Sequence, residues 1–172
     1  MGTACYYGFK KGNKLKFEAN YYDSYPSEFG RNIVAFIKEN TIEELNYIFE
    51  NTVIVNGDDY PSNEQISEMI SKKIRYKDQD KIFNWRKILY LNKGFNTYYV
   101  KKFLYICNID MIDLKCMDYL YIINLNTNKF EIYEYTCDKA NTKLTDDIIL
   151  ESHFLEEVYD LNNIPKDWFY RE

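Results

Sequence analysis

Apolar positions along this chain change period twice, and the changes divide it into three stretches. Lys14-Leu15-Lys16-Phe17-Glu18-Ala19 alternates polar and apolar at period two, the signature of a half-buried strand. Thr3 to Phe9, rich in aromatic and small residues, reads as its hairpin partner, with Lys10-Lys11-Gly12-Asn13 as the turn. From Phe29 the period becomes helical. Phe29, Ile33, Phe36 and Ile37 form one apolar face, and Thr41-Ile42-Glu43-Glu44 is a capping box opening a second helix with Leu45, Ile48 and Phe49 inward. After a brief strand-like run, Thr52 to Val55, Ser62 and Gln65 stand at capping-box spacing before the stripe Ile66, Met69, Ile70 and Ile74. The polar run Arg75 to Lys81 reads as a connector, and Ile82, Trp85, Arg86, Leu89 and Tyr90 predict a fourth helix ending before Gly94.

Strand patterns return in the last third. Tyr98 to Cys107 is aromatic and β-branched, Tyr119 to Leu125 is the strongest strand, and Lys129 to Tyr135 comes back from an Asn126-Thr127-Asn128 turn with clean alternation. Cys137 to Asp147 reads as a polar loop. Phe154, Val158 and Leu161 suggest a helical tail, followed by Ile164-Pro165 and Trp168-Phe169 as a docking anchor. Helices segregated between antiparallel strands predict an α+β fold. The expected antiparallel sheet is built from the N-terminal and C-terminal hairpins, with a central helical segment packed on it. At 172 residues, one globular domain spanning 1–172 is expected.

Between the first hairpin and the first helix lies the densest chemistry, Asn20-Tyr21-Tyr22-Asp23-Ser24-Tyr25-Pro26-Ser27-Glu28-Phe29-Gly30. Pro26 suits a helix start, because it fixes φ and lacks a donor that the first turn leaves unpaired. Asp23, Ser24 or Ser27 can cap that helix. Capping leaves the crowding of Tyr21, Tyr22 and Tyr25 unexplained, and exposed tyrosines are typical interface anchors.

Charge narrows the partners. The net charge of −5 argues against direct nucleic-acid binding, which needs clustered Lys and Arg, and favours a protein partner with a basic surface. Tyr98-Tyr99 followed by Lys101-Lys102 is aromatic and basic together, as single-strand binders are, and it also suits a protected edge strand. With 18 Tyr and 11 Phe against 2 Trp, the aromatic loading suits either AT-rich codons or an interface. Cys5, Cys107, Cys116 and Cys137 lack CxxC spacing and His153 is the single histidine, so neither a metal site nor a cofactor is expected. No apolar signal-peptide region precedes the cysteines, which predicts reduced thiols in a cytoplasmic protein. No run of about 18 apolar residues predicts a membrane span, and Tyr6 stands where a myristoylation signal opening Met1-Gly2 requires Ser or Thr.

Gly2-Thr3, Gly8-Phe9, and Asn20-x-x-Asp23-Ser24-Tyr25-Pro26 with Gly30 beyond resemble a family of small uncharacterised proteins from phages, prophages and large DNA viruses. Its members begin Met-Gly-Thr-Arg-Gly and carry Tyr-Asn-His-x-Asp-Ser-Tyr-Pro-Ser-x-x-Gly. Tyr119-x-Tyr121-Ile122-Ile123-Asn124-Leu125 also looks like their Tyr-Ala-Tyr-x-Ile-Asp-Leu-Asp strand. The likeness covers both termini and implies no particular activity. Here Ala4-Cys5 replaces the family's Arg-Gly and Tyr21 its His, so chemistry depending on those residues is lost.

Two functions follow as expectations. The first is a non-catalytic phage-type protein that binds and inhibits a host protein, such as a nucleic-acid-handling defence effector, in the manner of an anti-CRISPR. Its binding residues would be Asn20, Tyr21, Tyr22, Asp23, Ser24 and Tyr25. The second is a small hydrolase or nucleotide-ligand-binding protein at the same loop, with Thr3 or Cys5 as nucleophile facing Asn20 and Asp23. For the hydrolase, Met1 removal exposes Gly2 rather than Thr3, and a Cys5 thiolate needs a cationic neighbour.

Overall fold

The computed structural model describes residues 2–92, 103–108, 117–137 and 142–169. The fold is α+β. The chain divides into two compact units, one formed by Met1–Glu50 with Ile109–Glu172 and the other by Asn51–Asn108.

The first unit is built on a five-stranded sheet. Its strands are β1 (Cys5–Lys11), β2 (Lys14–Asn20), β7 (Tyr119–Asn124), β8 (Lys129–Tyr135) and β11 (His153–Asp160), in the order β11-β8-β7-β1-β2. The two hairpins join in one sheet as expected. Their shared seam, β1 on β7, is parallel, with Cys5 beside Tyr119 and Phe9 beside Ile123. Every other pairing is antiparallel. Gly12, at φ 57°, takes the first central position of the β1–β2 turn, where a two-residue hairpin favours glycine. Gly8 is required for a different reason: a Cβ there would lie 2.0 Å from the Lys16 carbonyl oxygen on β2.

Both faces of β7 are covered, so all six of its residues are buried. On one face, Phe9 meets Phe36 of α1 (Arg31–Glu39) and Phe49 of α2 (Ile42–Asn51), with ring centroids 6.1 and 6.4 Å apart. Helix α1 contributes Ile33, Val34, Phe36 and Ile37 to this layer, each worth about 1.5–3 kcal/mol on full burial. The Thr41–Glu44 capping box forms at the start of α2, with Glu44 N–H donating to Thr41 Oγ1 at 3.2 Å and Thr41 N–H to Glu44 Oε2 at 2.8 Å.

The opposite face corrects two expectations. The stretch expected as a polar loop, Cys137 to Asp147, contains the strand β9 (Thr142–Thr145), which forms a hairpin with β10 (Ile148–Leu150) just beyond it. Leu144 and Leu150 from that hairpin close over Tyr6, Phe17, Leu120, Ile122 and Tyr133. The expected helical tail is the strand β11. A bulge between Leu155 and Glu157 inserts one residue, so apolar positions before and after it fall out of period two and mimic a helical spacing. Trp168 anchors the tail as expected, edge-on to Phe130 at 5.8 Å and to Tyr159 at 6.0 Å.

The second unit contains a parallel pair, β3 (Val53–Val55) with β6 (Tyr105–Cys107), and helices α3 (Asn63–Ser71) and α4 (Trp85–Leu91). Ser62 and Gln65 form the predicted capping box of α3. The connector between the helices carries a two-rung ladder of β4 (Lys77–Asp78) and β5 (Lys81–Ile82). Met69, Ile74, Trp85, Ile88 and Phe103 form its core, with Trp85 stacked on Tyr105 at 4.7 Å. The helices expected in the middle of the chain are thus shared: α1 and α2 cover the sheet, while α3 and α4 build the second unit. Gly94, Tyr98-Tyr99, Lys101-Lys102 and Cys116 lie outside the described residues.

Candidate functional site

The loop that follows β2 is fastened from beneath. Ser24 is fully buried, and every polar atom it has is engaged. Its N–H donates to Thr3 Oγ1 at 2.9 Å, its hydroxyl donates to the Asn20 carbonyl at 3.2 Å, and its own carbonyl accepts from the Tyr121 hydroxyl at 2.7 Å. Asn20 closes the loop, its side-chain amide donating to Ser24 Oγ at 2.9 Å and to the Tyr22 carbonyl. Asp23 sits at φ 49°, a left-handed conformation that Asp tolerates better than most residues, and its carbonyl accepts from Phe29 N–H at 3.2 Å.

Neither Asp23, Ser24 nor Ser27 caps the helix. The chain enters α1 through a wide π-type turn, Pro26–Gly30, whose start at Tyr25 has no side-chain cap. The Tyr25 carbonyl accepts from Glu28 and Gly30 N–H at 3.0 and 3.2 Å instead. Gly30 at the end of this turn is buried under Trp168, and a Cβ there would stand 2.8 Å from the indole ring. Of these candidates, Ser24 instead ties the loop to Thr3, to Asn20 of β2 and to Tyr121 of β7.

With the backbone held down, the tyrosines are held up. Tyr22 is 71% exposed, and Tyr21 and Tyr25 are both 48% exposed. Beside them opens a cleft of about 380 Å³ whose walls include Asn20, Tyr22, Asp23, Glu28, Arg31 and Asn32. The Arg31 guanidinium lies over the Phe169 ring at 4.5 Å.

The residues proposed as nucleophiles are differently placed. Cys5 is wholly buried on β1, and burial pushes its thiol up to about 12, despite hydrogen bonds to Ser24 and the Asn20 backbone that work the other way. A thiol held protonated in the core is a small apolar residue rather than a nucleophile. Thr3 Oγ1 already accepts the Ser24 N–H. His153 is also buried, with burial lowering its pKa, and its Nε2–H donates to the Met117 carbonyl at 2.7 Å. Among the described residues no group of three or more His, Cys, Asp or Glu side chains is placed to hold a metal ion, and no helix is long and apolar enough to cross a membrane.

A row of residues that the sequence did not single out continues the loop across the sheet. Tyr25 meets Tyr119 edge-on at 6.2 Å, and the Tyr119 hydroxyl donates to Glu134 Oε1 at 3.3 Å. The register places Tyr119, Glu134 and Phe154 side by side on β7, β8 and β11, so all three project from the same face. Glu156, in the bulge of β11, reaches the Glu134 carboxylate. Desolvation of its carboxyl group first, and its bond with and repulsion from Glu134 second, push it up to about 7. The alternation of Lys129 to Tyr135 assigns Glu134 to a face, but the pairing that brings β11 beside it carries no local signal.

Comparisons of the chain with protein-family models, with curated proteins and with solved structures found no match in any of the three.

Proposed function

We propose that this is a non-catalytic binding protein that engages a protein partner through the surface of Tyr21, Tyr22 and Tyr25 and the acidic row beside it. The observation that carries this reading is the contrast between Ser24, buried and bonded at every polar atom, and the exposed tyrosines around it. Tyrosine gives large contact area for little conformational entropy, and a loop ordered before binding loses less on association. Asn20 and Ser24 serve the site by holding it; Tyr22 and Tyr25 are its contact residues. The net charge of −5, with Glu134 and Glu156 next to Tyr119, suits a partner with a basic surface. Burial of Cys5 and the engagement of Thr3 favour binding over catalysis.

The resemblance of the N-terminal motifs to phage and large-virus proteins supports a host protein as the partner. A nucleic-acid-handling defence effector, inhibited as an anti-CRISPR inhibits its target, fits that setting and the charge. A second reading, a small nucleotide-type ligand, is favoured by the cleft where Arg31, Asn20 and Asn32 converge. Affinity capture from host lysate with wild type and a Tyr22→Ser/Tyr25→Ser double variant separates them. One protein recovered near stoichiometry with wild type and lost with the variant supports the partner reading. A co-purifying small molecule without a protein overturns it in favour of the cleft.

A further inference from the structure

The five-stranded sheet ends on β11, and among the described residues no strand lies along its outer side. Between the His153 carbonyl, which accepts from the Thr142 hydroxyl, and the Asp160 carbonyl, which accepts from Asn163 N–H at 2.9 Å, the middle of β11 forms an edge on which another strand can add. Natural edges are usually polar, yet Phe154, Leu155 and Val158 are 40%, 46% and 46% exposed. Phe154 projects on the face of Glu134, whereas Leu155 and Val158 stand opposite Tyr133 and Glu131 on the other face. Apolar surface therefore flanks the edge on both sides.

Charge selects the occupant. Glu156 and Glu157 lie at the middle of the strand, and Glu134 lies beside them on β8. The one lysine of β8 and β11, Lys129, is taken by Asp160 at 3.1 Å. A second copy of this chain is a poor fit. Two-fold antiparallel pairing over the whole strand sets Glu156 of each copy across from Glu157 of the other, and like charges directly opposite destabilise a ladder. The bulge at Glu156 further discourages indiscriminate pairing. A strand with cations at those positions meets attraction where a copy meets repulsion, which is how an edge becomes selective.

We infer that the outer edge of β11 docks an extended segment of the protein partner in which apolar residues alternate with Lys or Arg. Its cations lie against Glu134, Glu156 and Glu157, and its apolar side chains, on the opposite face, cover Leu155 and Val158. The row Tyr25, Tyr119, Glu134, Phe154 connects this edge to the tyrosine loop, so one partner spans both. The inference rests on the partner reading above and adds a backbone-paired contact to it.

The test uses the intact, isotope-labelled protein with a synthetic Lys-Val-Lys-Val-Lys-Val peptide, and Glu-Val-Glu-Val-Glu-Val as the charge-reversed control. Amide hydrogen exchange is read residue by residue. Strand addition slows exchange of the outward amides of residues 153–160 by about tenfold or more at saturation, because it gives those donors a partner. The acidic peptide leaves them unchanged. Glu156→Lys/Glu157→Lys loses the protection, with unaltered β7 exchange showing that the sheet is intact. Equal protection by both peptides, protection elsewhere but not in 153–160, or no binding at millimolar peptide overturns the edge proposal. None of these outcomes touches the tyrosine reading, which Tyr22→Ser/Tyr25→Ser decides at positions outside β11. Conversely, partner capture that survives the tyrosine variant but fails with Glu156→Lys/Glu157→Lys refutes the loop and keeps the edge.

Discussion

The Tyr121 hydroxyl donates to the Ser24 carbonyl at 2.7 Å, joining the central strand of the sheet to a loop 97 residues earlier in the chain. Both groups are buried, so the bond has no water to replace it. The exposed tyrosines depend on this fastening for their position.

Tyr121→Phe keeps the ring stack with Tyr119 and Phe130 and removes only the donor. The orphaned Ser24 carbonyl costs about 1–3 kcal/mol. Chemical denaturation should show that loss with an unchanged slope, and hydrogen exchange should show faster opening of residues 23–30 than of β1 or β8.

Gly30→Ala places a methyl group against the Trp168 indole, 2.8 Å from its nearest carbon. Trp168 is already confined by Phe130 and Tyr159, so it yields only by disturbing the aromatic stack. Overpacking of this kind costs about 1–3 kcal/mol. A lowered denaturation midpoint with an altered tryptophan emission spectrum is the expected result.

Glu156 gives the protein a pH-dependent stability of unusual sign for a carboxylate. Its pKa is raised in the folded state to about 7, so between the ordinary glutamate value and that point the native state holds a proton that the unfolded chain has released. Its contribution is therefore fully present at low pH and is lost as pH rises through about 7. The groups facing it are Glu134 on β8, Glu157 on its own strand and Tyr119 on β7. Thermal denaturation of Glu156→Gln should be flatter with pH than wild type, and the variant should be the more stable of the two above neutrality.

Thiol labelling of the native protein at pH 8 should modify exposed Cys137 and spare Cys5. Cys5 becomes reactive only under denaturant. Fast labelling of Cys5 in the native state would restore it as a nucleophile candidate.

Much of the fold was legible where the local pattern is regular. The alternation of Lys14 to Ala19 and Lys129 to Tyr135, and the capping boxes at Thr41 and Ser62, each correspond to the observed element. Tyr119 to Asn124 is buried on both faces, so it read as a strand without showing its neighbours, and its parallel seam with β1 is a long-range fact. The bulge at Glu156 hid β11 by breaking its period. Thr142 to Leu150 was hidden because its strands, four and three residues long, are too short to show a period. At the candidate site, the sequence singled out this loop but merged two roles. Side-chain hydroxyls and amides near a proline read as caps or ligands, and only the buried Thr3–Ser24–Tyr121 bonds separate the fasteners from the tyrosines they present.

The most direct measurement is a calorimetric titration of the captured partner with wild type and with Tyr22→Ser. Tyr22 is the most exposed of the loop tyrosines and its removal leaves the buried fastening intact. The account predicts a loss of affinity of about tenfold or more, the cost of truncating an interface anchor. Equal affinity for the two proteins would contradict a tyrosine-loop interface and place the contact elsewhere on the molecule.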